Sequence, residues 1–125
     1  MTDTGFGNAF VGGAITSGGN STVVLQVSGS NNTIGAVTVT GTTNATVRIY
    51  ISGNYNVLAG FTVTASTNSL ITISISGSKN SAGGLIITSS DDAKIFVSMT
   101  GSNSVFTGAT LASSGNSSTS VSLCT

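Results

Sequence analysis

The chain has 125 residues, with three basic and three acidic side chains, no His and a formal net charge of zero. Without a basic surplus it cannot build the field that draws nucleic acid, and without His or Glu it has little material for acid–base catalysis. Val, Ile and Thr favour strands, the low charge with 38% hydrophobic residues argues against disorder, and no apolar run approaches the roughly 20 residues of a membrane helix.

Slid by 24 residues, the sequence lines up with itself: Val27, Ile51, Ile75, Met99 and Leu123 share one column, and Gly5, Gly29, Gly53, Gly77 and Gly101 another. A fixed short period along a whole chain marks a solenoid or array. Each unit splits into halves built on one 12-residue template: apolar, Ser or Thr, Gly, two polar residues, Asn, then an extended run. The opening Met1 and Thr2 are the tail of such a half. From Asp3 onward, position one is apolar in every half but the first: Ile15, Val27, Val39, Ile51, Val63, Ile75, Ile87, Met99, Leu111 and Leu123. Position eleven is mostly apolar, and the position between the two columns mostly Ser or Thr. That is the in/out alternation of a strand.

The half-repeats differ in turn. Those containing Phe10, Ile34, Leu58 and Phe106 put a large apolar residue at position eight, then small residues such as Gly35-Ala36, Ala59-Gly60 and Gly83-Gly84. Small residues inside a strand predict a bulge or bend. The other halves read as longer strands. In Ala45–Ser52, Val47, Ile49 and Ile51 are expected inside, and Arg48, Tyr50 and Ser52 outside; Leu70–Ser76 and Lys94–Thr100 read likewise. Between strands lie turns at Gly29–Asn32, Gly41–Asn44, Gly53–Asn56, Gly77–Asn80 and Gly101–Ser104, where Gly supplies positive φ and Asn tolerates it. The array closes on Leu123, Cys124 and Thr125, the start of another half.

Because the two halves alternate, the expected coil takes 24 residues; a narrow 12-residue coil would leave that alternation unexplained. The fold class is therefore all-β, a parallel β-solenoid (β-helix) of about five coils, each of two strand–turn halves. Residues 1–125 read as one repeat domain. No coil covers its own apolar face, so stability is a sum of stacking terms between neighbours.

Asn8, Asn20, Asn32, Asn44, Asn56, Asn68, Asn80 and Asn116 share position six, with Asp92 and Ser104 in the same column. Stacked amides can form a hydrogen-bonded ladder, or each Asn can serve its own turn. Thr38/Thr40 and Thr62/Thr64 form outward Thr-x-Thr pairs, with Ala14/Thr16, Ile86/Thr88 and Thr110/Ala112 on the same face. Asp91, Asp92 and Lys94 are the one charged cluster; adjacent Asp residues point different ways, which reads as a solvated turn rather than a catalytic pair. Sequons at Asn20, Asn31, Asn44 and Asn116 are of the number that chance supplies in so Asn/Ser/Thr-rich a chain. Neither cofactor, metal site nor catalytic residue is expected. Lone Cys124 excludes an internal disulfide.

The tandem repeats, their paired strand–turn halves and the Gly5-Phe6-Gly7-Asn8 element resemble curli-type amyloid subunits and other β-solenoid fibre proteins. That resemblance implies a secreted fibre subunit, though no signal peptide is visible; phage fibres, which need none, have similar segments. The Thr pairs resemble the ice-binding face of insect antifreeze proteins. Two functional expectations follow. One is a head-to-tail homo-oligomeric filament assembling through edges at Met1, Thr2, Ser120, Val121, Ser122 and Leu123, without nucleic acid, membrane insertion or enzymatic activity. The alternative is an ice- or polysaccharide-binding module working through Thr38, Thr40, Thr62 and Thr64.

Overall fold

The computed structural model describes residues 1–124; Thr125 and the side chain of Asp3 lie outside the description. The strands, in chain order, are β1 (Thr2–Thr4), β2 (Ala9–Gly18), β3 (Thr22–Ser28), β4 (Thr33–Thr42), β5 (Thr46–Ser52), β6 (Val57–Ala59), β7 (Thr62–Ala65), β8 (Leu70–Ser76), β9 (Ser81–Ser89), β10 (Lys94–Thr100), β11 (Val105–Ser113) and β12 (Ser118–Cys124). They form two parallel sheets. One runs β1-β3-β5-β8-β10-β12; the other runs β11-β9-β6-β4-β2, with β7 completing its middle strand between β4 and β9. Partners are 24 residues apart throughout, as in Ile49↔Ile73 and Thr40↔Thr64. The chain is thus a parallel β-solenoid of 24-residue coils, and the narrow coil is excluded. Five coils at sheet spacing span about 24 Å.

The alternation sets the core. Val47, Ile49 and Ile51 of β5 are at most 1% exposed, while Arg48 and Tyr50 between them face solvent. From the other sheet come Ile34, Val37 and Val39 of β4, then Leu58, Phe61 and Val63, all buried. The inward columns stay closed through the middle coils and open at the ends: Leu111 and Leu123 are 50% and 47% exposed, whereas Ile87 and Met99 beneath them are both 0%. Leu111 and Leu123 have no coil above them among the described residues.

The expected bend is real and recurs in all five coils. Gly12, Ala36, Gly60, Gly84 and Gly108 hold φ of 74°, 51°, 67°, 64° and 66° at the same template position. Each bends its strand between positions eight and eleven, and at Gly60 the bend splits the strand into β6 and β7. The residues at those two positions share one space. Phe10 is followed by Gly13, whose added Cβ would sit 3.0 Å from the Phe10 ring, while buried Leu58 and Phe61 fill the middle coil. In sheet one, the sheet of β1, β3, β5, β8, β10 and β12, the strands from β3 to β12 run unbroken for seven residues.

The Gly column is the other backbone requirement. Gly29, Gly53, Gly77 and Gly101 have φ between 111° and 131°. A Cβ on Gly53 would lie 2.0 Å from the Gly29 carbonyl oxygen, and one on Gly29 1.7 Å from that of Gly5. One turn lies directly on the next, backbone to backbone. Gly41 is different, and the expectation that it supplies positive φ is corrected. In its turn Thr43 and Asn44 are left-handed, at 53° and 58°, while Gly41 is buried and leaves room for the Ile71 side chain, 3.5 Å from its would-be Cβ.

These positions predict opposite outcomes. Ala36 is exposed and pays for a left-handed backbone with its Cβ, so Ala36→Gly should raise unfolding free energy by about 0.5–1 kcal/mol in denaturant titrations. Gly53→Ala combines an ill-suited φ with a backbone clash and should cost at least about 3 kcal/mol. A neutral Gly53→Ala would mean that the turns are not stacked as described.

Candidate functional site

The most regular polar arrangement is the position-six column, and the structure divides it in two. At the turns that follow sheet one, the side chains go inside: Asn32, Asn56 and Asn80 are at most 1% exposed. The Asn8 N–H donates to Asn32 Oδ1 at 3.0 Å, the Asn32 N–H to Asn56 Oδ1 at 3.0 Å, the Asn56 N–H to Asn80 Oδ1 at 2.8 Å, and the Asn80 N–H to Ser104 Oγ at 3.2 Å. This is a ladder, but the amides do not bond one another. Each carbonyl oxygen accepts from the main chain one coil earlier. The amide nitrogens serve carbonyls of the Gly column: Asn80 Nδ2 donates to Gly77 O at 2.9 Å, and Asn32 Nδ2 reaches Gly5 O at 3.5 Å. Asn56 Nδ2 is buried without a partner.

At the other turns, Asn20, Asn44 and Asn68 are exposed with φ of 58°, 58° and 59°. They are left-handed turn residues, not rungs, and the ladder reading is corrected for them. Their N–H groups pair with the next coil's backbone: Asn20 with Thr43 O, Asn44 with Thr67 O and Asn68 with Asp91 O. Asp91 and Asp92 take the same left-handed pair at 53° and 64° and are exposed, as a solvated turn requires. Asn116 is exposed at the equivalent corner, where Gly115 has φ 66°. At position six, one corner of the coil thus holds an internal carbonyl acceptor and the other an exposed left-handed residue.

Serines at the second corner form contacts that the repeat did not announce. Ser17 Oγ and Ser21 Oγ are 2.8 Å apart in the first coil. Near the last, Ser89 Oγ lies 2.7 Å from Ser113 Oγ and 3.0 Å from Thr119 Oγ1, and Ser113 Oγ lies 3.2 Å from Ser117 Oγ. Between the ends the equivalent positions hold Gly41 with Ala45 and Ala65 with Ser69. Paired hydroxyls at both end coils were the available signal.

The Thr positions come together as expected. Thr38 pairs with Thr62, and Thr40 with Thr64. The second column extends through Thr16 and Thr88 into an unbroken run of four, while Ala14 and Ile86 interrupt the first. Met1, Thr2, Ser120, Val121, Ser122 and Leu123, the residues expected at assembly edges, all lie on the two outermost strands of sheet one or beside them. Val121 is half-buried against the core. At the opposite end, the first coil has an open apolar cavity of about 280 Å³ lined by Met1, Phe10, Ile15, Val23 and Leu25 among others. Comparison with protein-family models, curated proteins and solved structures returned no match.

The two Asn classes make separable predictions. Asn44→Gly keeps a residue suited to positive φ and should leave stability within about 0.5 kcal/mol. Asn56→Gly leaves the buried Asn32 N–H without its acceptor and should cost about 1–3 kcal/mol, with added loss for the void. Equal effects in thermal unfolding would contradict the division of the column.

Proposed function

We propose that this chain is a structural subunit that assembles head to tail into a filament by continuing its two sheets into the next copy. The uncovered core carries the reading. Leu111 and Leu123 stand half-exposed at the end of columns that are otherwise sealed. Complete burial of such a side chain contributes about 1.5–3 kcal/mol, and roughly half of that is still to be gained by covering each of these half-exposed residues. The outer edges of β11 and β12 also offer unpaired backbone groups, and natural sheets protect such edges with charge, Pro or covering elements. Ser118–Cys124 contains neither charge nor Pro. Contacts of this kind are heterologous and generate open filaments when they do not close into rings. The likeness to curli-type and other solenoid fibre proteins agrees with such a role, and with an extracellular or surface location. The near absence of charge agrees with a partner that is another copy, not a nucleic acid or a membrane.

One observation favours a second reading. Thr16, Thr40, Thr64 and Thr88 make a straight column at sheet spacing, with Thr38 and Thr62 beside it. Such a lattice repeats at about 4.8 Å along the axis and about 6.7 Å along the strand, which suits binding to ice or an ordered polysaccharide.

Negative-stain imaging and sedimentation of the purified protein should show filaments one solenoid wide. Val121→Lys places a charge at the half-buried edge position and should abolish pelletable filaments while the central coils keep their circular dichroism. A wild-type protein that stays monomeric at high concentration contradicts the filament reading; inhibition of ice recrystallisation or glycan binding by that monomer would then put the Thr face first.

A further inference from the structure

The strand register limits how two copies can meet. β1 pairs with β3 as Thr2↔Gln26, Asp3↔Val27 and Thr4↔Ser28. β12 pairs with β10 as Ser122↔Ser98, Leu123↔Met99 and Cys124↔Thr100. Five repeats separate the two segments, so Thr2–Thr4 and Ser122–Cys124 are the same piece of the template. A second copy whose last coil stacks in register on this first coil would lay its Ser122–Cys124 on Gln26–Ser28, where β1 already lies. Stacked one coil further out, it would leave β2 and β11 facing each other across a missing strand, with two rows of backbone groups unpaired.

Resting on the head-to-tail reading above, we propose that β1 is a displaceable edge strand, and that β12 of a second copy takes its place on β3. Three observations favour the exchange. First, β1 is short. It matches only the last three residues of β3, with further bonds from the Met1 amino group to Val24 O at 2.9 Å and from the Gln26 N–H to Met1 O at 3.0 Å. β12 has seven residues, the length of β3. Second, β1 puts Asp3 at the register position held by Val27, Ile51, Ile75 and Met99 in the following coils, and β12 puts Leu123 there. That column is apolar in each later coil, and Leu123 continues it where the residue type at position 3 does not. Third, the first coil is underfilled. Its cavity is lined by Phe10, Ala14, Ile15 and Leu25, with Met1 at the template position of Val121, and the neighbouring position eleven is Gly13 where later coils have Val37 and Phe61. Stacking in register would lay Leu111 over Ile15 and Val121 over Leu25, and would set the Ser113–Ser117 pair on the Ser17–Ser21 pair. Asn8 would follow Ser104 as the next member of the Asn column.

The proposal makes β1 a built-in brake on elongation. Assembly of the full chain in reducing buffer is followed by light scattering and imaging for wild type, for Asp3→Leu and for a variant lacking Thr2–Gly5. Asp3→Leu should hold β1 in place and lengthen the lag several-fold. The deletion should expose β3 and shorten it several-fold. Equal lags in all three overturn it and leave the head-to-tail reading standing. If neither wild type nor the deletion variant forms filaments, both fall.

Discussion

The structure depends on one constraint: every strand meets the residue 24 places along the chain, parallel and in register. Each side chain therefore lies against its own template position in the coils above and below. Apolar columns benefit, since burial in one coil is continued by the next. Charged columns would suffer. Two like charges at sheet spacing repel by about 1 kcal/mol in water and several kcal/mol near a low-dielectric surface. The scarcity of charge follows from this, and so does its placement. Arg48 lies between Val24 and Thr72, and Lys94 between Leu70 and Ser118. Lys79 sits beside Tyr55, with Nζ 2.8 Å from the hydroxyl and 5.0 Å from the ring centroid. None stacks on a like charge.

The same constraint explains why the two corners of a coil have different chemistry. At the Gly column, successive turns approach until one carbonyl occupies the space a Cβ would need. So close a stack turns backbone groups inward, and the buried Asn side chains satisfy them. At the other corner the chain turns through two left-handed residues and stays exposed. There Asn, Asp, Thr and Gly all occur: Gly avoids the steric cost of positive φ, Asn and Asp tolerate it, and the β-branched Thr43 and Thr67 bear it. The first corner is uniform because packing selects it. The second varies because only local backbone conformation does.

Much of this was legible in the residues. The phase of Val47, Ile49 and Ile51 follows from alternation, the 24-residue coil from the unlike halves, and the bend from Gly35-Ala36, Ala59-Gly60 and Gly83-Gly84. What the template hid was which Asn goes inside, because position six reads Asn at both corners. The clue was at position three. It is Gly in every one of Gly5, Gly29, Gly53, Gly77 and Gly101, yet Ser17, Gly41, Ala65, Ser89 and Ser113 at the other corner. Strict Gly marks a close backbone approach, and a variable small residue marks only limited room. The exchange of Asp3 for Leu123 was likewise visible as a break in a column, but its meaning needs the observed pairing of β1 with β3.

On the proposed head-to-tail reading, the two ends of the solenoid are complementary edges of one continuous sheet. In such a junction Cys124 of one copy neighbours Ser28 of the next. The Cα separation of neighbouring strands, about 4.8 Å, falls within disulfide range. Within one copy the same two residues are four coils apart, about 19 Å, too far to bridge. Mild oxidation of assembled Ser28→Cys protein should therefore give a ladder of covalent oligomers on a non-reducing gel, and assembled Ser52→Cys protein, whose added thiol lies two coils from the neighbouring Cys124, about 10 Å, should give none. Absence of the ladder from Ser28→Cys filaments, or an equal ladder from Ser52→Cys, would contradict the account.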